Sequence, residues 1–104
     1  MDMLIRIKWA VLAGRYTFSK KARIEMEIDD LTELDVAESI LNAREIYKKL
    51  RSTNPSRNRR REYLYVIQGT NLDGLVIYTK GKLVEAEGSE MYCFLETSHV
   101  EEEL

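Results

Sequence analysis

The apolar residues of this chain change their period once, and that change limits the possible folds more than any other feature. Up to residue 42 they recur at helical spacing; from residue 62 they fall into short β-rich runs separated by turn residues. Residues 3–13 place Ile5, Trp9 and Leu12 on one helical stripe, widened by Leu4 and Val11. Arg6, Lys8 and Arg15 are left for water, and Gly14 is the expected stop. After a short extended Tyr16–Phe18, Ser19 can accept from the orphan amides of a second helix, where Ala22 and Met26 are four apart and Asp29-Asp30 end the run. Thr32, Glu33, Leu34 and Asp35 form a capping-box pattern, and Leu34, Ala37, Ile40 and Leu41 then recur on one side. That spacing predicts a helix over about 33–42.

In the second half, Ile46-Tyr47 and Leu50 flank two lysines in a segment that reads as a strand or a helix end. Residues 52–61 read as a loop fixed by Asn54-Pro55. Residues 62–68 are rich in β-formers, and the turn residues at 69–74 lead into Leu75–Lys80, which predicts an antiparallel hairpin. Gly81-Lys82 is expected to open a second connection, followed by a short strand at 83–86 and a last strand at 90–99. The tail 101–104 is expected to fray. Helices followed by strands give an α+β class: N-terminal helices packed on a twisted three- or four-stranded antiparallel sheet.

The length of 104 residues fits one domain, 1–104, with one modest core. The lone Cys93 excludes an intramolecular disulfide framework and points to a reducing, cytoplasmic setting. Cys93 lies among Tyr92, Phe94 and Leu95, so it is expected to be a buried, inert thiol. No apolar run is long enough to span a bilayer, and Asp2, Arg6 and Lys8 interrupt the start in a way foreign to a signal segment, so no membrane partner is expected. One His and one Cys cannot supply a tetrahedral zinc site, and no Gly-rich phosphate loop occurs. Neither a metal nor an organic cofactor is therefore expected.

Charge carries the functional signal. Between Arg44 and Arg61 eight basic residues stand against one acid, Glu45, so this segment carries +7 in a chain of net charge −2, and the remainder carries −9. Lys49, Arg51, Arg57, Arg59, Arg60 and Arg61 are the candidate RNA-binding residues of that segment. The bland alternative is a solvated loop that keeps its charges in water. Around the sheet, Lys48, Tyr78, Lys80 and His99 are the candidate catalytic residues, with Glu62 as an alternative proton carrier. Metal-free RNA cleavage needs a base for the 2′-hydroxyl, cations for the charge on phosphorus and an acid for the departing 5′-oxygen. His99 is the only side chain that titrates near neutrality without perturbation. Tyr78 and Lys80 share a strand face, and His99 reaches them if the last strand lies beside 75–80 in a suitable register.

The order of several segments resembles the small toxin-like proteins of the RelE-type fold, in particular the MqsR-like group and the DUF4258-like domains. The segments are 13–22 (AGRYTFSKKA), 35–40 (DVAESI), 46–52 (IYKKLRS), the strand from Glu62, 77–80 (IYTK) and the closing Thr97-Ser98-His99. The resemblance implies a RelE-like α+β fold and, in active members, a metal-independent endoribonuclease of the mRNA-interferase kind held in check by an antitoxin protein. It places a family lysine on Lys48 and a family tyrosine on Tyr78. A family Gln is replaced by the Arg60-Arg61-Glu62 region, and a late Lys by His99. The implied partners are RNA, an antitoxin and the ribosome, with a homodimer compatible with all three. The competing reading is a non-catalytic protein-interaction module built on the same fold.

Overall fold

The computed structural model describes residues 2–51 and 62–100. Three helices precede most of a five-stranded sheet: α1 Met3–Leu12, β1 Tyr16–Phe18, α2 Lys20–Ile28, α3 Glu33–Asn42, β2 Ile46–Arg51, β3 Tyr63–Thr70, β4 Val76–Ala86 and β5 Ser89–Val100. The strands lie in the order β1-β5-β4-β3-β2. The α+β class stands, but the expected three- or four-stranded antiparallel sheet does not. The sheet is five-stranded and mixed, because Tyr16–Phe18 pairs in parallel with Tyr92–Phe94 at the far edge. Aromatic packing holds this short strand: Phe18 stacks on Phe94 with ring centroids 4.8 Å apart, and Tyr16 meets both rings edge-on.

Local chemistry sets each helix start. Asp2 accepts from Leu4 N at α1, and Ser19 from Ala22 N at α2. At α3, Thr32 and Asp35 form the full reciprocal capping box. The buried side of α1 differs from the expected stripe. Leu4, Ile7, Ala10 and Val11 are buried, whereas Ile5, Trp9 and Leu12 are exposed. The helix is apolar on most of its circumference, so the basic residues decide its rotation. Arg6 pairs with Glu90, and Lys8 Nζ donates to the carbonyl oxygens of Leu41 and Ala43 where α3 runs out of backbone partners. The α3 stripe shifts likewise: Val36, Ala37 and Ile40 are buried, and Leu34 is exposed.

β4 runs through Gly81 without a break, so the connection expected at Gly81-Lys82 does not exist. Glycine is there for packing. A side chain at Gly81 would meet the Tyr92 ring at 2.6 Å and the Cys93 carbonyl oxygen at 2.7 Å, so the bare backbone lets Tyr92 lie across it, fully buried. The real turn is Glu87-Gly88, where both residues have positive φ, 52° and 79°, between the paired Ala86 and Ser89. That is the geometry of a tight two-residue hairpin. Leu95 is an extra residue where the β4–β5 register shifts, and Tyr47 is one where the β2–β3 register shifts.

Beyond Phe94 the edge of β5 has no strand partner among the described residues, and α2 and its cap supply one side chain after another. Ser19 Oγ donates to the Leu95 carbonyl, Glu25 Oε1 accepts from Thr97 N at 3.2 Å, and Asp29 Oδ2 accepts from His99 N at 3.2 Å. Two carboxylates thus occupy edge amides that would otherwise be open to another chain. Tyr65, Ile67, Ile77, Tyr92 and Phe94 form the sheet's buried side beneath the helices. Cross-strand partners share a face, so the residues between them in sequence point the other way, where no helix covers them among the described residues. Cys93 is on that open side and only half-buried, which corrects its expected place in the core; partial burial still pushes its thiol pKa up.

Candidate functional site

The uncovered sheet face gathers three of the four candidate catalytic residues, Lys48, Tyr78 and Lys80. In one cross-strand row stand Lys48, Val66, Lys80 and Glu96, and in the next Gln68, Tyr78 and Ser98. Lys48 and Lys80 are two strands apart, roughly 10 Å between their backbones, and Tyr78 is about 6.7 Å along the strand from Lys80. Lys80 and Tyr78 also line a groove of about 210 Å³ with Glu25, Glu96 and Ser98.

The electrostatics of this row centre on Glu96. Its two oxygens take Lys21 Nζ at 2.7 Å and Lys80 Nζ at 3.0 Å. These hydrogen bonds, that of Lys21 first, hold the Glu96 carboxyl below the usual carboxylate range, so it is ionised at neutral pH. Two cations share the Glu96 carboxylate, and Glu25 at the same groove brings the cluster's formal charge to zero. Lys82, in the following row, lies 3.7 Å from Glu62, which places the alternative proton carrier in an ion pair at the same face.

His99 does not join this group. It stands opposite Ile77, which is fully buried beneath the helices, while Tyr78 stands opposite Ser98. A strand's alternation therefore turns His99 to the helix side, where its Nδ1 is buried without a hydrogen-bond partner. The expected meeting of His99 with Tyr78 or Lys80 fails by one residue of parity. Lys49 and Arg51 likewise alternate away from Lys48; Lys49 Nζ sits 4.1 Å from the centre of the Tyr63 ring, opposite the face of Lys80. Arg57, Arg59, Arg60 and Arg61 lie outside the described residues.

Besides Glu96, two residues of this face escape sequence reading. Gln68 pairs with Tyr78 across the hairpin, and Tyr47 meets the Tyr78 ring edge-on with centroids 6.4 Å apart. The hairpin register would have shown the first; the bulge that throws Tyr47 outward has no signature in the sequence. Among the described residues no group of three or more His, Cys, Asp or Glu side chains is arranged to hold a metal ion, and no helix is long and apolar enough to cross a membrane. Comparison with known proteins finds no matching family model, curated protein or solved structure.

Proposed function

We propose that the chain binds single-stranded RNA across its uncovered sheet face and cleaves it without a metal, as an endoribonuclease of the toxin type that its segment order resembles. The observation that carries this reading is the convergence of Lys48, Lys80 and Tyr78 on one open face beside an ionised carboxylate. In this mechanism the 2′-oxygen attacks phosphorus as Glu96 takes its proton. Lys80 and Lys48 neutralise the developing charge, and the Tyr78 hydroxyl protonates the departing 5′-oxygen, leaving a 2′,3′-cyclic phosphate. An antitoxin, the ribosome and self-association rest on the resemblance alone and belong to the same proposal.

The displacement of His99 and the engagement of Lys80 by Glu96 favour a second reading, a binding module that does not cut. Metal-free RNA cleavage, scored by cyclic-phosphate ends in the presence of a chelator, separates the two. Glu96→Gln sharpens the distinction. It frees Lys21 from its ion pair and removes a negative charge beside the Lys80 phosphate contact, so RNA affinity rises several-fold and the salt slope steepens by about 0.7 as Lys21 gains a phosphate. In the nuclease reading cleavage falls at the same time, by roughly 10²-fold or more. Tighter binding with unchanged cleavage removes Glu96 from the proton transfer, and unchanged binding removes the cluster from the RNA site.

A further inference from the structure

Next to Tyr78 the open face runs into a cleft of about 810 Å³ between the C-terminal end of α3, the start of β2 and the β3–β4 turn. Its size is that of a small-molecule site. Tyr47, 64% exposed, and Leu72, 80% exposed, give it apolar surface. Arg44, Glu45 and Gln68 supply the polar groups at its wall.

The wall is held in place. Asn71 is almost fully buried; its Oδ1 accepts from the backbone amides of Asp73 and Leu75, and its Nδ2 donates to Asp35 Oδ1. Leu72 N donates to Glu38, and Asn42 Nδ2 to the Thr70 carbonyl. The turn is thereby tied to α3 at several points, and a ligand entering the cleft meets a preformed surface.

Tyr47 is the extra residue of the β2 bulge, which frees its ring from the cross-strand ladder and turns it outward at the cleft. The exposed ring offers a flat face on which a base can stack. Beside it, Gln68 offers one amide donor pair and one acceptor, the complement that a base edge presents. Tyr47 and the backbone of Lys48 are consecutive, so a base on Tyr47 has its own phosphate within reach of Lys48.

We infer that this cleft is a nucleobase subsite in which a base of the bound strand stacks on Tyr47 and its edge is read by Gln68, while the attached phosphates run along Lys48 and Lys80. The inference rests on the RNA-binding reading above and deepens it by assigning what lies between the phosphates. Stacking of one base on an aromatic side chain typically contributes enough to change affinity by roughly 5- to 150-fold.

The test uses fluorescently labelled, non-cleavable 2′-deoxy hexanucleotides and an abasic hexamer of the same charge, measured by anisotropy against the full chain. Wild type is expected to bind the base-bearing hexamers roughly 5- to 150-fold more tightly than the abasic one. Tyr47→Ala should erase that difference while leaving abasic affinity unchanged, and Tyr47→Phe should preserve it. Gln68→Ala should flatten any preference among bases without weakening the abasic hexamer. Because both side chains are exposed, thermal melting of the variants is expected to match wild type. Equal binding of abasic and base-bearing hexamers by wild type, or an equal loss for both in Tyr47→Ala, overturns the subsite while the RNA-binding reading stands. Failure of wild type to bind any hexamer overturns both.

Discussion

Gly69→Ala is expected to cost about 3 kcal/mol or more of folding stability, a large share of what a small domain has. The reason is a direct contact between layers. A methyl group at Gly69 would overlap the carbonyl oxygen of Ser39 and lie 2.8 Å from its carbonyl carbon, so backbone would meet backbone with no flexible side chain to yield. Ser39 is itself buried and spends its hydroxyl on the Val36 carbonyl, so α3 cannot rise from the sheet without opening the core around Ile40 and Ile67. Urea unfolding followed by circular dichroism measures the loss. Gly74→Ala is the control: its φ of 84° is strained for alanine, but nothing lies within 4 Å of the new methyl, so the cost there is about 1 kcal/mol. Equal midpoints for the two variants would show that α3 does not rest on β3 at this point.

Tyr78→Phe carries the largest expected effect on activity. The change keeps the ring, and with it the edge-on packing against Tyr47, while deleting the phenolic hydroxyl that the proposed mechanism uses to protonate the leaving 5′-oxygen. Cleavage should fall by about 10²–10⁴-fold, with RNA affinity and thermal stability close to wild type. The split between rate and binding is the informative part, because a merely structural tyrosine would lose both or neither. His99→Ala is the internal comparison. Its side chain turns to the helix side, so it should leave the chemical step in place and act on stability alone.

Much of this fold could be read from the residues. The capping box at Thr32 and Asp35, the Ser19 cap and the hairpin from 62 to 80 follow from local chemistry, and they stand as expected. What failed was decided at long range. Tyr16–Phe18 is too short to announce a strand, and its place beside β5 depends on Phe94, far along the chain. Gly81 has the composition of a turn, but here it makes room for the Tyr92 ring. The rotation of α1 was settled by Glu90 and by the open end of α3, neither visible within residues 3–13.

The candidate site divides along the same line. Tyr78 and Lys80 share a face because alternation within one strand is local and certain, and Lys48 joins them only through the register with β3. His99 was separated from them by one position of register on β5, where Thr97 and His99 turn inward and Glu96 and Ser98 turn outward. The anion that balances Lys80 is Glu96, three residues before His99 on the same strand.

The central claim is that the uncovered sheet face is the RNA face, and the salt dependence of single-stranded RNA binding tests it most directly. Wild type is compared with the Lys48→Ala/Lys80→Ala double variant, using a control in which Lys20 and Arg23 on α2 are replaced by alanine to remove the same charge elsewhere. The account predicts that the double variant loses about 1.4 from the slope of log affinity against log salt, two phosphate contacts at roughly 0.7 each, and that the α2 variant keeps the wild-type slope. An unchanged slope in Lys48→Ala/Lys80→Ala, or the same loss in the α2 variant, would contradict it.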